Sequence, residues 1–420
     1  MLTRGLRPAV TALVLASALL MSACTSGAEK PAATAPTTVA IGLLVPTSGP
    51  NAQLGQQATL GAKLAIEVVN RDIPTKPLPL PLGAGAGLRN GTKLTLLTGN
   101  TESAPEKIEK EAGKLIDDGA LGLVLADTID VALATSRVAD LQGVSLVDAL
   151  STSDTFGDLN RTGHFRIQPT DRREVTTALD LLYRQRGGDK QIKRIVTAAG
   201  TPAGPLGDEV ASLKNSIEDL SQAAGYDVAG KDKILPLTGS EAGQPNGQVQ
   251  KGDAVLAVVT SPAEASAAND LAVKLKGTAP VIAMGPAVGA LDAVKNPTAL
   301  RASGWSNEFA ARNPIAQVIG AMFEQAFHTK LTEVAADAFM ATLTLALAMD
   351  QSAEYSKQAV RNAVQQLNLP ATQMIMPWNG VRFDGNGVNQ LAGGVVEQRT
   401  QNGYTLIHPA ELALSQALAL

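Results

Sequence analysis

The chain of 420 residues holds one cysteine, three histidines and few rings, with Phe, Trp and Tyr together at 3%. A single cysteine excludes an intrachain disulfide and any cysteine-based zinc site. His164, His328 and His408 are far apart and show no HExxH-type spacing, so structural or surface roles are expected and no metal site can be assembled. Scarce aromatics argue against a ligand held by ring stacking. A net charge of -4 gives no broad basic field for nucleic acid or anionic lipid. No GxSxG elbow, P-loop or GxGxxG sits between a strand and a helix. Gly83-Ala-Gly-Ala-Gly87 is Gly-rich but follows no strand, and the pair Asp117-Asp118 ends a helix with no histidine close in sequence. The expectation is a protein that is not an enzyme and carries no cofactor.

What is present begins with an address. Arg4 and Arg7 precede an apolar run from Ala9 to Met21, the length of a signal-peptide core and too short for a comfortable transmembrane span. No later segment offers eighteen clean apolar residues, so the rest is expected to be soluble. The stretch Leu20-Met21-Ser22-Ala23-Cys24 resembles the bacterial lipobox, although Met21 stands where Leu is commonest. That resemblance implies cleavage before Cys24 and diacylation of its sulfur. An ordinary signal peptide with an incidental cysteine is the alternative. Two acyl chains anchor stably where one does not. Residues 25–38 read TSGAEKPAATAPTT, an aperiodic linker reaching roughly 20 Å.

From Val39 strand and helix signals alternate. Val39–Val45 is a continuous apolar run, as in a strand buried on both faces. A helix is predicted over about Leu54 to Arg71, and 72–91, rich in Pro and Gly, reads as a surface insertion. Strands near Lys93–Leu97, Leu121–Ala126 and Val144–Asp148 alternate with helices over about Pro105–Asp118 and Asp130–Gln142. The pattern restarts after Pro169, with strands at Ile192–Ala198, Ala254–Val259 and Val281–Ala283 between helices. Helices near Ile315–His328, Ala335–Asp350 and Ser356–Leu367 follow, then short strands around a turn at Asp384-Gly-Asn-Gly387. With 45% hydrophobic residues to bury, the fold class is α/β, two doubly wound parallel-sheet lobes. Ligands of such lobes bind at the carboxyl ends of the strands, and the lobes close about a hinge.

Several segments carry a resemblance to the type I periplasmic binding proteins of the branched-chain amino-acid (Leu/Ile/Val) kind. They are Ile41–Pro50, Gly61–Asn70, Pro105–Ile116, Phe165–Asp171, Met284–Pro286 and Val381–Gly387, in the family's order. The resemblance covers about Val39 to Pro409. It implies a lipoprotein of this domain plan: 1–23 signal peptide, 24–38 linker after lipidated Cys24, 39–168 with about 284–378 lobe one, and 169–283 with about 379–409 lobe two. It further implies a monomeric, extracytoplasmic substrate-binding lipoprotein of an ABC importer, lipid-anchored at the cell membrane, delivering a small solute to a permease.

In that family lobe one holds the ligand carboxylate and an acid of lobe two holds its ammonium. The matching positions are Thr152 for a hydroxyl, Leu150 for a backbone contact, and Thr128 with Ile129 in the loop Asp127–Asp130. Asp127 and Asp130 would repel a carboxylate there unless they point away or face a cation, and helix N-capping is their alternative role. Leu54 and Leu206 stand where the family often has aromatics. Glu264 lies near the site of the ammonium-binding acid, its alternative being a solvated first-turn helix acid. A branched aliphatic amino acid is the first expectation. An amide or urea-like ligand, a short peptide, a ligand-free envelope interaction or sensor role, and a cell-envelope hydrolase are the alternatives.

Overall fold

The computed structural model describes residues 36–71, 77–159, 161–184, 192–230, 233–400 and 403–413. Cys24, the signal peptide and most of the linker lie outside them. Residues from Thr37 onward form one body.

The first sheet is parallel. It contains β1 (Thr38–Val45), β2 (Lys93–Asn100), β3 (Ala120–Leu125), β4 (Ser145–Asp148) and β5 (His164–Arg166), in the order β2-β1-β3-β4-β5. Every residue of β1 after Thr38 is buried, which is why its sequence is apolar without alternation. Helix α1 (Ala52–Asn70) packs on one face, and α2 (Ile108–Asp117) and α3 (Ile129–Gln142) on the other. The second sheet holds β6 (Arg194–Ala199), β7 (Asp227–Val228), β8 (Leu235–Pro236), β9 (Asp253–Val258), β10 (Val281–Met284) and β11 (Leu300–Ser303). It is sandwiched by α4 (Asp171–Arg184) and α5 (Gly204–Ala223) on one face and α6 (Pro262–Lys274) on the other. Helices α7 (Asn307–Arg312), α8 (Pro314–Phe327), α9 (Glu333–Gln351) and α10 (Lys357–Gln365) follow. The short pair β12 (Leu369–Pro370) and β13 (Gly380–Val381) leads to the hairpin β14 (Val395–Thr400) and β15 (Gly403–His408).

Three expectations are corrected. The chain does not leave the second sheet at Met284, because β11 pairs with β10 and with β14; the return falls after Ser303. The turn at Asp384–Gly387 belongs beside the first sheet, since Arg166 N–H donates to Gly387 O at 2.8 Å. Glycine is required there: a Cβ on Gly387, at φ +70°, would lie 1.9 Å from His164 O. The described part of the insertion, from Pro77, is not wholly a surface loop, because Leu80 and Leu88 are buried in the first core.

Helix α9 is apolar on nearly all sides and buried accordingly from Ala335 to Met349. It approaches α1 so closely that a Cβ on Gly61 would stand 2.0 Å from Ala335 O. Side-chain oxygens of Ser261, Ser306, Asn313, Thr332 and Ser356 cap α6 to α10 in turn.

The chain crosses between the sheets three times, near 167–170, 304–306 and 389–394. Asn389 ties the third crossing to the first and is fully buried. Its Nδ2 donates to Ile167 O at 3.0 Å and Gly380 O at 3.1 Å, and its Oδ1 accepts from Arg382 N at 3.0 Å and Leu391 N at 3.1 Å. Trp378 Nε1 donates to Gly304 O at 2.8 Å. Asn389→Ala removes the side-chain partner of two buried and two part-buried backbone groups and is expected to cost about 3 kcal/mol in urea unfolding. Asn389→Asp, which sets a carboxylate oxygen against the Ile167 and Gly380 carbonyls, is expected to cost at least as much at neutral pH.

Candidate functional site

The loops that follow the strands of the two sheets meet. Helix α5, after β6, packs on α3 and on the 3-10 turn Asp154–Leu159. A Cβ on Gly304 would strike Gln168 and Pro169, so two crossings run side by side.

On the first sheet, Asp127 is a strut. Its carboxylate accepts from Ser103 Oγ at 2.6 Å, Thr128 N at 2.7 Å and Thr101 Oγ1. Ser103 Oγ also accepts from Asn51 Nδ2 at 2.9 Å, so the loops after β1, β2 and β3 are joined through one buried acid. Burial raises the Asp127 carboxyl, against the lowering by these hydrogen bonds. Asp127 is therefore neither a helix cap nor free to repel a ligand. Asp130 Oδ1 is buried in the first turn of α3 without a hydrogen-bond partner.

Asp148 at the end of β4 is fully buried. Its Oδ2 lies 3.0 Å from His164 Nε2, and its Oδ1 accepts from Leu150 N and Ser151 N at 3.1 Å each. Burial alone would raise this carboxyl, but His164 and the Ser151 N–H hold it below the ordinary range. The His164 ring is wedged edge-on against Phe156 at 4.6 Å, so this histidine is structural.

Thr128 is exposed at the start of α3, with Ile129 half-buried beside it. The Leu150 N–H, expected to meet a ligand, is engaged by Asp148. Thr152 reaches the lobe crossing, where its carbonyl accepts from Asp171 N at 2.9 Å. Leu54 and Leu206 are half-buried in the first turns of α1 and α5. Glu264 is buried rather than solvated. Its Oε2 accepts from Thr260 N at 2.7 Å and Thr260 Oγ1 at 2.8 Å, and its other oxygen packs on Gly200.

The sequence reading missed a file of acids along this seam. Asp171 is raised to about 7 by burial, with the nearby Thr152 hydroxyl opposing and Asp154 adding. Glu174 of α4 is pushed well up, first by burial and then by Asp171, Glu333 and Glu209. Glu209, one turn beyond Leu206, is raised to about 8 by burial and by Asp171, Asp130 and Asp148. Arg166 is buried among Asp148, Asp154, Asp171 and Asp384, and it cannot neutralise them all. Sequence spacing alone gives no sign of this file, because Asp171 and Glu174 of α4 meet Glu209 of α5 only in the folded chain. Among the described residues no group of three or more His, Cys, Asp or Glu is placed to hold a metal. No described helix is long and apolar enough to cross a membrane.

Residues 38–401 match the sequence profile of the periplasmic binding protein family. The chain belongs to that family. Its fold is that of the type I binding proteins. An ABC transporter substrate-binding protein from Desulfitobacterium hafniense, in complex with Leu, superposes with a TM-score of 0.65 at 19% identity, over 88% of this chain and 99% of that one. A solute-binding protein from R. palustris, in complex with benzoate, gives 0.62 at 17%, over 88% and 95%. A curated relative, a Leu/Ile/Val-binding protein homolog from Brucella melitensis, is 25% identical over 146 residues. That match covers 35% of this chain and 36% of the relative, so the chain spans about a third of this relative's length. Proteins of this family bind solutes outside the cytoplasm.

The acids set the pH response. Carboxyls raised in the fold bind protons that the unfolded chain releases, so stability falls as pH rises from about 4.5 toward 8. Asp148 acts in the opposite sense, and its contribution is lost as pH falls below about 4. The Tm is therefore expected to peak near pH 5. Glu209→Gln should raise stability at pH 8 by on the order of 3 kcal/mol and flatten the slope in a calorimetric pH series.

Proposed function

We propose that this protein is the capture subunit of an ABC importer, tethered through lipidated Cys24, and that it takes an amino acid or a related small carboxylate into the seam between its lobes. The observation that carries this reading is the meeting of two sets of strand-end loops across three chain crossings, within a family match from 38 to 401. Such crossings absorb hinge rotation when lobes close on a ligand. In this reading lobe one is 39–168 with the helices beyond 304, and lobe two is 169–303 with the final hairpin.

The exposed Thr128 hydroxyl, Ile129 and Thr152 would receive one end of the solute, beside Leu150, and Leu54 and Leu206 would wall its apolar part. Glu264 is committed to Thr260, so the ammonium partner is better supplied by Glu209, which makes no hydrogen bond among the described residues. An ammonium beside Glu209 would restore its ionised form. Structural neighbours bound to Leu and to benzoate have a carboxylate in common, which supports a carboxylate-bearing cargo.

The test is a thermal-shift screen of the twenty amino acids, aromatic carboxylates and simple amides. A ligand at a hundred times its Kd should stabilise by about 2.7 kcal/mol. Thr152→Ala and Leu54→Ala should each weaken it; wild-type affinity in both would displace the site. Cys24→Ser should move the chain from the detergent phase to the aqueous phase in a partition assay. A second reading is an envelope interaction protein, favoured by the internal engagement of Leu150 N–H and Glu264. A silent screen together with a specific crosslinked partner would select it.

A further inference from the structure

A half-open cavity of about 660 Å³ lies at the β11 side of the second sheet. Its volume falls in the range of small-molecule sites. One wall is β11 with the 3-10 helix Val288–Ala293, and the other is α8 with the start of α9. None of Leu54, Thr128, Ile129, Leu150, Thr152, Leu206 and Glu264 lines it.

The wall is built rather than incidental. Arg301 is buried with its guanidinium 4.1 Å above the Tyr404 ring. Its Nε donates to Glu397 Oε2 at 2.6 Å and its NH1 to Asp292 Oδ1 at 2.9 Å. Glu397 is fixed in turn by Ser306 Oγ at 2.7 Å. One guanidinium thus already answers two carboxylates.

A third acid, Glu333, the first residue of α9, lines the same cavity. It makes no hydrogen bond among the described residues. The charged groups that face it are Arg301 of β11, Glu397 of β14, Asp292 of the 3-10 helix, Glu174 of α4 and Asp337 on the next turn of α9. The other cation on the lining, Lys330, is exposed and shares its surroundings with Glu324. Once Glu333 is ionised, the three carboxylates of the lining, Asp292, Glu324 and Glu333, outnumber its two cations, and an anion is disfavoured. The apolar wall comes from Trp305, whose Nε1 is held by Asn307 Oδ1 at 2.9 Å, with Ala311 and Leu331.

We propose that this cavity is a second binding site, for a small organic cation carrying an amine or guanidinium on a short aliphatic body, with Glu333 as its charge partner. Burial raises Glu333 to about 7, with Arg301 opposing and Glu397 and Asp292 adding. A bound cation therefore displaces the Glu333 proton, and affinity falls as pH drops through 7.

The experiment is isothermal titration of the purified chain with agmatine, butylamine and butyrate at pH 8 and pH 6. The amines should bind and butyrate should not, with affinity about ten-fold weaker at pH 6. Glu333→Gln should lose about ten-fold or more in amine affinity at pH 8 and abolish the pH dependence. Gly320→Leu is a second variant that keeps the fold: Gly320 lines the cavity from α8, and a Cβ there meets nothing within 4 Å. Filling the space should block amine binding. Absence of amine binding at millimolar concentration, equal binding of butyrate, or unchanged amine affinity in Glu333→Gln would overturn the proposal. Such a failure leaves the amino-acid screen and its Thr152 and Leu54 variants unaffected, because those residues are not part of this wall.

Discussion

Three extended crossings join the two sheets, and their backbone polar groups must be satisfied without a sheet to do it. Asn389 meets that constraint. One side-chain amide of the third crossing supplies two donors and a doubly used acceptor, to Ile167 of the first crossing, to Leu391 of its own, and to Gly380 and Arg382 in the segment before it. Gly304, which admits Gln168 and Pro169 at close range, brings the second crossing against the first. Everything at the seam inherits its geometry from this knot, because it fixes which strand ends meet. A buried amide left unpaired is costly, so the arrangement has little tolerance for slippage.

The same geometry explains the charge pattern. Crossings that bring strand ends together also bring together the first turns of helices, where acids are favoured by the helix dipole. Asp130, Asp171, Glu174 and Glu333 all sit in such first turns. Each is locally unremarked in its own helix. Placed across the seam with Arg166 and Arg301 as the principal buried cations among the described residues, they form a file of carboxyls, and burial pushes Asp171, Glu174 and Glu333 up. Either a proton or a bound cation relieves the crowding of negative charge, the first by neutralising a carboxyl and the second by stabilising its ionised form, and this links lobe apposition to both.

Fold and site differed in how far they were legible. Continuous apolar runs such as Val39–Val45 and Ala254–Val259 marked buried parallel strands, and the amphipathic stretches between them marked helices, because those patterns are local. β11, the hairpin β14–β15 and the short β7 and β8 escaped notice. β11 and β14 are built around Arg301 and Glu397, whose charges hide strand character until the two are seen to pair across neighbouring strands. Placing the return crossing at Met284 followed from missing β11. Leu150 and Glu264 sit in the loop and helix start where the resemblance placed them, yet their polar groups are occupied by Asp148 and Thr260. A hydrogen bond to a near neighbour in space leaves no periodic trace.

By itself the sequence determined that the chain is a two-sheet α/β protein with no intrachain disulfide, because composition and apolar periodicity act over a few residues at a time. It also determined the family, through segments kept in order along nearly the whole chain. Only the tertiary structure decided which acids face one another, which expected ligand groups are already engaged, and where space is left between the lobes. Those properties depend on the register of separate elements across the crossings. The cavity beside Arg301 and Glu333 exists because β11 and α9, thirty residues apart in the chain, are brought to opposite sides of one gap.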